Sequence, residues 1–128
     1  MMEFGNVEKE IMDKAKDWIE DYGEEFLVEL IDVYLDDTPA RLQQLRQALD
    51  GGDTETLTRE AHTLKSSSAN VGAMTLSTLA RQVELAGRNG LTETLADDVV
   101  NLTAMFARVK STLEALRHSP GKFVGQER

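Results

Sequence analysis

A chain of 128 residues with 41% hydrophobic content can bury one ordinary core but not two, and its lack of cysteine excludes a disulfide framework and a thiolate metal site. A formal charge of −9 opposes nucleic acid and anionic membranes, and no run of about eighteen apolar residues marks a span or signal peptide. These features predict one cytoplasmic, monomeric domain over 1–128, with protein partners, no cofactor, no nucleic acid and no membrane.

Val7, Ile11, Met12, Ala15, Trp18 and Ile19 recur with a period of about 3.6, which predicts a short first helix ending between Asp21 and Gly23 and lying as a strap. Phe26, Leu27, Leu30, Ile31, Tyr34 and Leu35 continue the pattern, and Leu42, Leu45 and Leu49 resume it beyond Pro39. That is one long helix kinked at Pro39 or two helices, and the kinked single helix is favoured. Gly51 and Gly52 break the chain, and Asp53 or Thr54 caps a third helix, which Gly72 ends. Leu76, Leu79, Ala80, Val83 and Ala86 outline a fourth helix, stopped by Asn89 and Gly90. In the last helix Leu95, Val99, Leu102, Phe106, Val109, Leu113 and Leu116 alternate steps of four and three, the clearest stripe in the chain. No segment shows the period of two that a half-buried strand needs. The expectation is an all-α fold: an antiparallel up-and-down four-helix bundle with an additional short N-terminal helix, a core at about 7–118 and a loose tail over 119–128.

His62 carries the sharpest functional signal. Leu57, Ala61, Leu64 and Ser68 define the buried stripe of the third helix, and at about 100° per residue His62 points roughly 130° away from its centre. Its ring is therefore presented to water. Thr58, Arg59, Lys65, Ser66 and Ala69 lie at helical spacings that place them around it. A neutral imidazole is a competent nucleophile toward a phosphoryl group, Lys65 one turn away can hold the equatorial oxygens, and Ser66 and Ser67 can add hydrogen bonds. The plain alternative is an ordinary surface histidine. Arg59 and Lys65 are then solvated charges pairing with Glu55 or Glu60 at about 0.2–0.5 kcal/mol per pair. His118 sits near a helix end, where it favours the helix dipole, and has no assigned role.

The run Ala61-His62-Thr63-Leu64-Lys65, the serines after it and Gly72 resemble the phosphoacceptor motif of histidine-containing phosphotransfer (HPt) domains, A-H-x-L-K-G-S-S with a glycine ten residues after the histidine. Family landmarks resembling Phe26 to Ile31, Leu45 to Leu49 with Gly52-Asp53, and Leu79 to Gly90 extend the likeness over roughly 23–116. The resemblance implies that His62 is phosphorylated, that Lys65 contacts the phosphoryl group and that Gly72 shapes the turn between the two central helices. Ser66 stands where the family most often has glycine, and its hydroxyl is a further candidate contact. Some members use a glutamine on the neighbouring helix to hydrogen-bond the histidine. Glu84 occupies the aligned position, with Gln82 nearby, and neither receives a role here.

The implied activity is a relay. His62 accepts a phosphoryl group from an aspartate of one receiver domain, of a hybrid sensor kinase or a response regulator, and passes it to another. Thr58, Arg59, Ala69 and Gly72 are the expected partner contacts. Nothing resembles a nucleotide-binding glycine loop, so the domain is expected to be a carrier and no enzyme, with Mg²⁺ supplied by the receiver. A helical adaptor that binds receivers without carrying phosphate is the alternative. An independent hydrolase lacks a nucleophile, oxyanion loop or metal set beside the histidine.

Overall fold

A computed structural model describes residues 6–121. Among them are five α-helices and no strand: α1 (Val7–Tyr22), α2 (Glu24–Gly51), α3 (Thr54–Asn70), α4 (Met74–Arg88) and α5 (Leu95–His118). The expected tail falls largely on 122–128, which lie outside the described residues. None of the described helices is long and apolar enough to cross a membrane.

The apolar stripes become the core. The predicted stripe residues of α3, α4 and α5 are all buried, and Val7, Ile11 and Ala15 of α1 join Leu27, Ile31, Tyr34 and Leu45 of α2. At about 1.5–3 kcal/mol for a fully buried Val, Leu, Ile, Phe or Met side chain, this shared interior supplies the main driving force. α2 packs on α3 and α5, α4 packs on α3 and α5, and α1 lies across α2, α4 and α5.

Helix ends follow local chemistry. Asn6 accepts from Lys9 N–H at the start of α1, and Asp53 accepts from Thr56 N–H at 3.1 Å to start α3. Asp53, and not Thr54, is therefore the cap. α2 runs unbroken through Pro39, one helix and not two, although the proline removes the donor that Leu35 C=O would otherwise receive. Ser68, the polar member of the α3 stripe, is buried with its hydroxyl 2.8 Å from that of Tyr34, and burial pushes the Tyr34 phenol up to about 12.

α4 has no capping side chain of its own at Ala73. α1 provides one instead: the Glu10 carboxylate accepts from Thr75 N–H at 3.3 Å and from its hydroxyl at 3.0 Å. Trp18 Nε1 donates to Asn70 C=O at 2.8 Å, and Glu8 accepts a two-pronged bond from Arg108 of α5 at 2.9 Å. The strap expected of the first helix is thus tied to both ends of the α3–α4 turn.

Gly72 makes that seating possible. Its φ is +82°, and a Cβ there would lie 2.5 Å from Lys14 Cβ and 3.0 Å from Glu10 C=O. Neither neighbour is the free end of a side chain. Gly72→Ala should therefore lower stability by about 2–4 kcal/mol, combining left-handed strain with overpacking. Urea unfolding measures it, and a midpoint equal to the parent's would show that α1 does not press on this turn.

Candidate functional site

The site is built across the seam between α3 and α4. Contacts along this seam run in opposite order on the two helices, from Thr58 beside Gly87, through His62 and Glu84, to Lys65 C=O accepting from Ser77 Oγ at 2.7 Å. Gly87 sets the spacing, because a Cβ on it would fall 2.6 Å from Thr58 Oγ1 and 2.9 Å from Leu57 Cδ2. Helices held this closely bring short side chains into direct contact across the seam.

His62 is 59% exposed, and its Nδ1 lies 2.7 Å from Glu84 Oε2. A carboxylate only accepts, so Nδ1–H is the donor, and in the neutral ring the lone pair is left on Nε2. Glu84 is 3% exposed. Lys65 Nζ donates to its other oxygen at 2.8 Å, and Arg88 Nη2 donates to Oε2 at 2.9 Å. Burial pushes the Glu84 carboxyl up, but the hydrogen bonds from Lys65 and His62 outweigh it and hold the group below the usual glutamate range. The result is a charged acceptor fixed at the back of an accessible ring.

Beside the ring opens a cleft of about 450 Å³, lined by Thr54, Glu55, Thr58, Arg59, His62, Gly87 and Arg88. Arg59 and Arg88 are both largely exposed. Such an arrangement can present a nucleophilic nitrogen to a phosphoryl donor, with cations close by and no wall across the approach. Among the described residues no group of three or more potential metal-ligating side chains comes together.

The residues expected around His62 are only partly assembled there. Thr58, Arg59 and Lys65 are at the site, Ser66 is exposed one turn on, and Ala69 is half-buried two turns along. Gly72 is not brought to this surface, because it is buried beneath α1. Lys65 pairs with Glu84 rather than with Glu55 or Glu60, while Glu60 is buried against Arg41 at 3.0 Å. Glu84 and Arg88, without a role in the sequence reading, complete the site. Gln82 is exposed and Glu84 alone of the two reaches the ring. One signal for Glu84 was available: it lies four residues after Ala80, on the stripe that faces the core.

A helical protein that presents a carboxylate-held histidine beside a lysine defines a class, and comparison with known proteins identifies it. The sequence matches the Hpt domain over residues 29–118, and the chain belongs to that family, whose members carry out histidine phosphotransfer in two-component phosphorelays. The fold is similar to the crystal structure of histidine-containing phosphotransfer protein B (HptB) from Pseudomonas aeruginosa PAO1. That likeness has a TM-score of 0.77 and 27% sequence identity, covering 83% of this chain and 91% of that one. No curated protein matches the sequence.

The Glu84 cluster should leave a mark on acid stability. A carboxyl whose pKa is depressed by folding contributes its full stabilisation above the unfolded value of 4.5, and loses it as pH falls through the lower folded value. Urea midpoints taken through that window should fall more steeply for the parent than for Glu84→Gln. Parallel curves would mean that the cations do not hold the folded carboxylate.

Proposed function

We propose that this domain is a phosphoryl carrier in which His62 Nε2 takes a phosphoryl group from a receiver-domain aspartate and gives it to a second receiver. The observation that carries the reading is the Glu84–His62 hydrogen bond on an exposed ring, which leaves Nε2 as the free nucleophile in the neutral tautomer. The family match and the likeness to a phosphotransfer protein support it.

Lys65 is the phosphoryl-contacting cation in this scheme. Its Nζ rests on Glu84 Oε1 and has two further protons to offer an incoming equatorial oxygen. Ser66 is exposed on the same helix one turn from the ring, so its hydroxyl is a second contact. Thr58, Arg59 and Ala69 border the face on which a receiver docks. The chain supplies no nucleotide site of its own in this reading, and Mg²⁺ arrives with the receiver's acidic pocket, where it would offset charge on the transferring group.

The architecture we infer for this work is an antiparallel up-and-down bundle of α2 to α5, with α1 added as a strap. It is supported by the short links between successive helices, by the opposed order of contacts along the α3–α4 seam, and by the closing contact of α2 with α5. In this reading the domain works as a monomer in the cytoplasm.

Incubation with a receiver loaded from acetyl phosphate should label the parent with acid-labile phosphate, and His62→Gln should take up none. Equal labelling of that variant would place the chemistry elsewhere, and no labelling of the parent would leave a helical adaptor. Lys65→Ala should transfer about ten- to a hundred-fold more slowly, since one positioned charge is lost from a partly solvated site. Rates matching the parent's would remove Lys65 from the mechanism.

A further inference from the structure

His62, Glu84 and the cations around them raise a question about the phosphorylated ring that the resting geometry can answer. Attack by the Nε2 lone pair forms the N–P bond while the aspartyl O–P bond breaks and its electron pair leaves on the carboxylate. The proton on Nδ1 takes no part. The product is then a phosphorylated imidazolium, with its positive charge shared across a ring whose Nδ1–H points at a buried carboxylate oxygen 2.7 Å away.

We propose that Glu84 keeps the Nδ1 proton on the phosphorylated His62 ring, so that the phosphoryl group always departs from a neutral imidazole. The inference rests on the carrier reading above and deepens it. In the onward step an aspartate oxygen of the second receiver attacks phosphorus, the N–P bond breaks and its electron pair returns to Nε2. With Nδ1 protonated, the leaving group is imidazole. Without that proton it is imidazolate, a far stronger base and a far poorer leaving group.

The charges facing the ring decide whether the proton stays. From α3 come Arg59, Lys65 and Glu55, and from α4 come Glu84 and Arg88. Arg59 and Arg88 are more than half exposed, so water and salt weaken their opposition to a ring cation. Lys65 is held on the far oxygen of Glu84, and the arriving phosphoryl group offers it a second anion. Glu84 alone makes direct contact with the ring proton from a position 3% exposed, where an ionic hydrogen bond is strongest. Three donors on one carboxylate also keep it ionised and pinned, ready to hold the ring in one orientation through the transfer cycle.

Glu84 is accordingly a positioning residue whose charge adds to the hydrogen bond that a neutral glutamine there could also accept. The test uses parent and Glu84→Gln proteins, phosphorylated through an acetyl-phosphate-loaded receiver and then mixed with a second receiver across a pH series. The parent should transfer at a level rate well into the alkaline range. The variant should lose about tenfold in rate per pH unit once its ring has passed its own titration point. A single shared profile would overturn the inference while leaving the carrier reading intact, and a parent that accepts no phosphoryl group would overturn both. A second measurement needs no variant: nitrogen-15 spectra of the phosphorylated parent should show the imidazolium pattern at pH values where the urea-unfolded phosphoprotein has lost it. Loss of the ring proton at the same pH in both states would also overturn the inference.

Discussion

A carboxylate buried between two helices is the constraint on which the site depends. An isolated buried charge costs several kcal/mol, and Glu84 is tolerable only because an imidazole, an ammonium and a guanidinium all converge on it. The demand runs both ways. Glu84 needs those donors, and by binding them it takes freedom from His62 and Lys65, two side chains that would otherwise sample many rotamers on a wet surface. Functional order at the surface is thus bought from a charge placed in the interior. The same arrangement explains why the histidine can be open to water and still have one tautomer facing inward.

Nothing in α4 by itself fixes how far Glu84 stands from His62. That distance follows from where α4 begins and how closely it lies on α3. Gly87 permits the close approach near one end, and toward the other end Ser77 bonded to Lys65 C=O sets the register beside the contacts of α1. There Glu10 caps α4 through Thr75 while Trp18 ties the end of α3, and Gly72 lets α1 sit close enough for both contacts. The strap helix therefore acts on the chemistry at second hand: it decides the register of α4, and the register brings Glu84 to the ring.

Much of the fold was legible in the sequence, and the reasons are physical. Helices that bury one face must repeat every three or four residues, so the α5 stripe from Leu95 to Leu116 could be read without any partner in view. Asp53 and Gly52 could be read because a helix end leaves orphan donors and acceptors that few residue types satisfy. His62 was legible by the inverse argument, as a residue turned off its stripe. For Glu84 the place on the α4 stripe could be read but the role could not: an acidic residue in an apolar pattern reads as solvated until Lys65, His62 and Arg88 are seen around it. Gly72 shows a related gap. The sequence marks it as a helix terminator, which its φ of +82° bears out, but the face it turns to α1 depends on a contact across more than fifty residues.

Charge presents an apparent contradiction, since a domain at −9 repels any phosphorylated partner at long range. Screening resolves it. At physiological ionic strength exposed charges fade over about 8 Å, so the acidic exposed residues of α2 count for little at His62 once a partner has come near. Around the ring the balance is different: Arg59, Lys65 and Arg88 stand against Glu84 and Glu55, which leaves a local excess of positive charge. What a docking anion meets is therefore a locally cationic opening in an acidic shell. Such a pattern favours contact through one small face over adhesion anywhere else, which suits a phosphotransfer domain.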